Sequence, residues 1–255
     1  MTNPPFYSSE KEMTDSLAKK SLPPSSACTG APVEMVTEGG EPAFVARILD
    51  ESLKLKDKVQ WYTAMFGFLS SVTGFVDKLQ ENLIDNYAVT EFVQGNKTRR
   101  WAVAWSFGAM RPSQAASRGT KAALSKNMLP AMTEFEVVTF PLPSEISKFT
   151  ESLESSIASL ELASWNWDKQ ALSGTGIAKD KVWTRAWRRR KKREAYGNME
   201  VQKAPETFGF RVWIIVGVRD TSVHIRWLEG HDEFTFESFR GYLKDAAKAA
   251  HDQPK

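Results

Sequence analysis

The sequence predicts an α/β chain in two parts: an open sheet flanked by helices and closed by an antiparallel hairpin, then a small α+β unit. Two observations point there. Apolar residues recur at helical spacing in 41–56 and 71–83, and extended runs at 59–66, 87–93 and 100–107 alternate with them. A stretch of scattered polar and small residues at 109–133, including Arg111-Pro112-Ser113-Gln114, then breaks the pattern and reads as a linker. The expected domains are 1–108, the linker 109–133, and 134–255.

Residues 7–42 are rich in Ser, Thr, Lys and Glu and read as a long loop with a helical turn near 11–18. The first helix carries Phe44, Val45, Ile48, Leu49 and Leu53 at 3–4-residue spacing; the second carries Val72, Phe75, Val76 and Leu79. Gln94-Gly95-Asn96-Lys97-Thr98 is turn chemistry between two extended runs, which makes 87–93 and 100–107 a hairpin. In the second part a strand at 135–140, a helix at 144–159 and a strand at 160–167 come first. Gly174-Thr175-Gly176 reads as a loop before the run 181–194, and another loop follows at 197–207. Strands at 210–218 and 222–228, joined by Arg219-Asp220-Thr221, precede an amphipathic helix at 234–250 with Phe236, Phe239, Tyr242 and Leu243 on one face. A four- or five-stranded antiparallel sheet with two helices on one face accounts for this order.

Composition excludes several classes. An apolar content of 42% and nine tryptophans suffice for a packed core. Cys28 is the single cysteine, which rules out an internal disulfide and a cysteine-rich zinc site. His224, His231 and His251 are the three histidines, and their spacing is not that of metal ligands, so no metal cofactor is expected. The chain contains no apolar run long enough to span a bilayer and no signal-peptide pattern, so a soluble intracellular protein without a membrane partner is expected. The net charge is only +3, but the excess of Lys and Arg lies downstream of residue 116.

The sharpest chemical signal is Asn3-Pro4-Pro5-Phe6, two residues after the first methionine. Two prolines lock φ and bias the residue before each toward an extended conformation, so the segment is stiff. The Asn3 carboxamide oxygen and the Pro4 carbonyl then form two fixed acceptors. An exocyclic amine that donates both hydrogens to them presents its lone pair to an electrophilic methyl group, and Phe6 can stack on the attached ring. The competing view is a rigid Pro-Pro loop without chemistry. With the helix–strand–helix–strand–strand order that follows, the motif makes 1–108 the C-terminal half of a Rossmann-like class I methyltransferase sheet dependent on S-adenosylmethionine (SAM). The glycine-rich cofactor loop of such sheets precedes this motif, and no G-x-G-x-x-G occurs downstream. The expectation is therefore a truncated chain in which Met1 is internal.

Arg185-Ala186-Trp187-Arg188-Arg189-Arg190-Lys191-Lys192-Arg193 is the most basic segment, with Trp183 beside it. Clustered cations attract phosphates, and aromatics among them suit stacking on unpaired bases. A nuclear localisation signal or a solvated face is the alternative. Lys97, Arg99 and Arg100 crown the hairpin turn, either near the Asn3 loop or at the opposite edge. Arg100, beside Trp101, is a candidate for a phosphate or a flipped nucleotide, against an ordinary charged turn. Thr37-Glu38-Gly39-Gly40-Glu41 offers either an anion site or a simple cap at a helix start.

Asn3-Pro4-Pro5-Phe6-Tyr7, Thr29-Gly30, Glu38-Gly39-Gly40-Glu41 and the segment Gln94-Gly95 through Arg100-Trp101-Ala102-Val103-Ala104-Trp105-Ser106-Phe107 occur in an order that resembles the methyltransferase-like protein 16 family. Arg226-Trp227-Leu228-Glu229-Gly230 is similar to the last strands of that family's vertebrate-type C-terminal RNA-binding region. The resemblance implies SAM as cofactor and an exposed adenine in structured, U6-like spliceosomal RNA as substrate. It implies Asn3, Pro4, Pro5 and Phe6 as the catalytic segment, with Asn3 also at the cofactor. Tyr7 and Arg100 would face RNA, and Arg185, Arg188, Arg189, Arg190 and Lys191 are the further RNA candidates. It implies a nuclear protein, with the cytoplasm left open. A non-catalytic RNA-binding protein is the alternative from another class, and the Asn-Pro-Pro-Phe string also serves DNA adenine and protein glutamine.

Overall fold

The computed structural model describes residues 1–5, 7–18, 32–94, 98–120, 128–195 and 207–252. It divides into two compact units, 1–108 with 114–131 and 109–113 with 132–255.

The first unit is built on a four-stranded sheet in the order β1-β3-β2-β4, from β1 (Tyr62–Phe66), β2 (Tyr87–Gln94), β3 (Thr98–Trp105) and β4 (Arg118–Gly119). β3 runs antiparallel to both neighbours, and β2 pairs with β4 in parallel. The main chain of Thr2 adds a parallel bridge to Ala64 of β1. The chain is thus mixed α/β, with a mixed sheet in this unit. Tyr62, Ala64 and Phe66 alternate inward from β1, and Trp101, Val103 and Trp105 from β3. Against them pack α3 (Gly40–Leu55), through Val45 and Leu49, and α4 (Leu69–Glu81), through Val72, Phe75, Val76 and Leu79. Two shorter helices, α1 (Glu10–Ala18) and α2 (Pro32–Met35), precede α3. Trp105 anchors this core: its indole N–H donates to Ser52 Oγ at 3.0 Å and its ring stacks on Tyr62. Truncating such a residue to alanine costs about 3–5 kcal/mol. The strand expected at 59–66 is shorter, spanning Tyr62–Phe66 after a 3₁₀ turn at Lys56–Lys58.

The 109–133 segment is shared between the units. Arg111 N–H donates to Leu228 O, its Nε donates to Gly230 O at 2.8 Å, and its guanidinium lies 4.0 Å from the Trp227 ring centroid. Residues 114–119 instead supply α5 (Gln114–Ser117) and β4 to the first sheet.

The second unit holds a five-stranded antiparallel sheet in the order β5-β9-β8-β7-β6. Its strands are β5 (Glu134–Pro141), β6 (Ser164–Asp168), β7 (Ser173–Ala178), β8 (Phe208–Val216) and β9 (Asp220–Glu229). α6 (Ile146–Ala158) and α8 (Glu233–His251) bury Leu153, Ile157, Phe236, Phe239 and Leu243, and the sheet contributes Phe210, Ile225 and Trp227. Gly174-Thr175-Gly176, expected as a loop, forms the middle of β7. A Cβ on Gly174 would meet the Trp165 ring at 2.5 Å, and one on Gly176 would meet the Phe210 ring at 2.5 Å. The glycines make room for large rings on neighbouring strands.

Candidate functional site

In the first unit Asn3 and Arg100 lie at the carboxyl ends of β1 and β2, the edge where open α/β sheets take ligands. Thr2 N–H donates to Thr63 O at 2.9 Å and Met65 N–H donates to Thr2 O at 3.0 Å, so the chain runs alongside β1 and leaves this edge at Asn3. Asn3 is exposed, whereas Pro4 and Pro5 behind it are buried, which fixes the path of the segment. Phe6 lies outside the described residues. Half-buried Tyr7 bridges in parallel to Val36, its N–H donating to Met35 O and its carbonyl accepting from Thr37 N–H.

The register settles where the hairpin lies relative to Asn3. Trp101 of β3 faces Phe66, the last residue of β1, so Arg100 belongs to the same edge as Asn3. Arg99 pairs with Glu91 at 2.6 Å. Lys97 lies outside the described residues.

Glu41 completes this edge, and the sequence offered its segment only as an anion site or a cap. Gly39 and Gly40 take φ of +72° and +64°, a backbone that side chains rarely adopt, and turn the chain into α3. Glu41, in the first turn, is fully buried and accepts from Gly67 N–H, just past β1, at 2.5 Å. Burial pushes its carboxyl up, while the donors of Gly67, Ser71 and Phe68 and the Arg100 charge act in the opposite direction. The Gly39–Gly40 helix start therefore carries an internal carboxylate, and no side chain caps it. The signal for this in sequence is an acid directly ahead of the apolar run Phe44, Val45, Ile48.

The basic run in the second unit forms α7 (Arg185–Ala195). Arg and Lys favour helices, but like charges one turn apart oppose them. Three features offset that repulsion. Thr184 Oγ1 accepts from Trp187 N–H at 3.2 Å, in the manner of an N-cap. Arg190 pairs with Asp180 and Lys191 with Glu161. Lys191 Nζ also lies 5.0 Å from the Trp187 ring centroid. Arg185, Arg188 and Arg189 are exposed. The N-cap of α8, Asp232, accepts from Phe234 N–H and pairs with Lys181 at 3.1 Å. Burial raises its carboxyl, but the Thr235 hydroxyl and Lys181 outweigh it and hold it below the usual value.

Residues 1–109 match a family described as RNA methyltransferase. Over 256 residues, the whole chain is 36% identical to the U6 small nuclear RNA (adenine-(43)-N(6))-methyltransferase of Schizosaccharomyces pombe, of which it covers 60%. Human RNA N(6)-adenosine-methyltransferase METTL16 is 41% identical over 109 residues, which are 42% of this chain and 19% of that protein. A crystal structure of the human METTL16 catalytic domain with a MAT2A 3′UTR hairpin is 40% identical, with a TM-score of 0.38, covering 41% of this chain and 37% of that one. Among the described residues no His, Cys, Asp and Glu side chains cluster as a metal site, and no helix is long and apolar enough to cross a membrane.

Proposed function

We propose that the chain carries the substrate side of an RNA adenine-N6 methyltransferase that acts on structured, U6-like RNA in the nucleus, with SAM as methyl donor. The observation that carries this reading is the exit of Asn3-Pro4-Pro5 at the carboxyl edge of the first sheet, in a chain 36% identical over its whole length to a U6 adenine-N6 methyltransferase. The residues present fit the amine end of the reaction. The Asn3 carboxamide oxygen and the Pro4 carbonyl accept the two N6 hydrogens, and the buried prolines hold both acceptors in place. This directs the nitrogen lone pair away from the loop. Asn3 would also border the cofactor, which would supply an electrophilic methyl group. Phe6 stacks on the adenine and Tyr7 flanks it. Arg100 takes a phosphate, and Arg185, Arg188, Arg189, Arg190 and Lys191 of α7 attract the RNA backbone. Positioning and desolvation supply most of the rate, so no titrating base is required.

The test is labelled-methyl transfer from SAM to a U6-like RNA hairpin by this chain, with Asn3→Ala as control. Incorporation that disappears in the variant supports the reading. Salt-sensitive RNA binding without incorporation would instead make the chain a non-catalytic RNA-binding protein.

A further inference from the structure

A cleft of about 700 Å³ opens in the second unit between α7, the end of α6 and α8, a size typical of small-ligand sites. Its walls include Trp183, Trp187 and Tyr242, and its rim carries Arg188, Lys191 and Lys192. Two of the rings are held rigidly. The Trp183 indole N–H donates to Ser238 Oγ at 3.0 Å and its ring packs on Phe208 and Phe239. The Tyr242 hydroxyl donates to Ser156 O at 2.8 Å. Trp187 is half-buried and turns toward the cations, with Lys191 over its ring. Glu161 is the acid lining the cleft, and it is engaged by Lys191. Among the described residues no carboxylate pairs with Arg188 or Lys192.

We infer that this cleft takes one unpaired nucleotide of an RNA strand, with its base against the tryptophans and its phosphate among Arg188, Lys191 and Lys192. The inference rests on the RNA reading above and adds a second contact, remote in sequence from the Asn3 loop. Charge and shape select the occupant. An aliphatic ligand would leave the cations unused, and an inorganic anion would leave the aromatic walls unused. A planar ring bearing a phosphate uses both. A paired base has its faces covered by neighbours, so the cleft distinguishes unpaired strand from duplex. Walls fixed before binding reduce the ordering cost of capture.

The experiment measures the affinity of the full chain for a fluorescent adenine hexamer and for a blunt RNA hairpin, in the wild type, Trp187→Ala and Trp187→Phe. Loss of one stacking partner should weaken hexamer binding about tenfold in Trp187→Ala. Hairpin binding should change less than twofold, and Trp187→Phe should retain most of the wild-type hexamer affinity. Equal losses on both probes, or no loss on the hexamer, would overturn the cleft while leaving RNA binding by α7 intact. A wild type that binds neither probe would overturn the RNA reading and the cleft together.

Discussion

The carboxyl edge of the first sheet and the α7 helix of the second unit are both exposed, but they are held in opposite ways. At the edge, backbone pairing of Thr2 with β1 and two buried prolines fix the position of a single uncharged side chain, Asn3. On α7, charge is dense and position is loosely specified, through a Thr184 cap and ion pairs from Arg190 and Lys191. The difference teaches that the two proposed roles ask for different physics. Methyl transfer to an amine needs acceptors at fixed places and gains little from net charge. Capture of a phosphate backbone needs cations in number and tolerates their motion, because the attraction falls slowly with distance and is governed by salt.

Separate substitutions should break one side of this comparison and spare the other. The largest effect is expected at Asn3. Asn3→Ala should lower the rate of methyl transfer at saturating RNA by about 10²–10³-fold, the scale for losing one preorganised polar contact to the transition state, with RNA affinity unchanged within twofold in a filter-binding titration. Next comes the combined change Arg188→Ala, Arg189→Ala and Arg190→Ala. It should weaken RNA binding by about tenfold or more and lower the slope of log affinity against log salt by about 2–3, with the rate at saturating RNA preserved. A salt slope already flat in the wild type would remove α7 from the RNA interface.

The smallest effects sharpen the contrast through pH. Glu41 has a raised carboxyl pKa, so its contribution to stability is full below the usual carboxylate range and is lost as pH rises through the raised value. Glu41→Gln keeps the shape and an acceptor for Gly67 N–H; thermal melts of this variant should lose that decline on the alkaline side. Asp232 has a lowered pKa, so its contribution is present above the usual range and is lost as pH falls through the lowered value. Asp232→Asn should cost about 0.5–1 kcal/mol at neutral pH, shrinking toward zero in melts at acid pH. A matching pH slope in both variants would contradict the assignments.

The parts of the fold that were legible in sequence are those with long periodic patterns. The inward faces of α3, α4 and α8 and the β2–β3 hairpin follow from spacing that spans several turns or strands. Residues 109–119 defeated the same reasoning because a four-residue helix and a two-residue strand carry no period, and Arg111 is claimed by Trp227 and Gly230, more than a hundred residues away. Gly174 and Gly176 read as a loop because glycine is a local punctuator, while the reason for them, the rings of Trp165 and Phe210, lies on other strands. The Asn3 motif was legible as a stiff segment, but its shared edge with Arg100 needed the strand register. Glu41 stayed hidden since an acid at a helix start is ordinarily solvated, and only the Gly67 contact explains its burial. The cleft beside α7 was half visible: Trp183 and Trp187 stood next to the cations, whereas Tyr242 and Leu160 reach it only through folding.

The most direct test of the separation between positioning and attraction is the single-turnover rate of labelled-methyl transfer from SAM to a U6-like hairpin, measured at saturating RNA in the wild type, Asn3→Ala and the triple arginine variant. A wild-type rate that collapses in Asn3→Ala and survives in the triple variant is the predicted result. A rate unaffected by Asn3→Ala, or one that the arginines alone control when RNA is saturating, would contradict it.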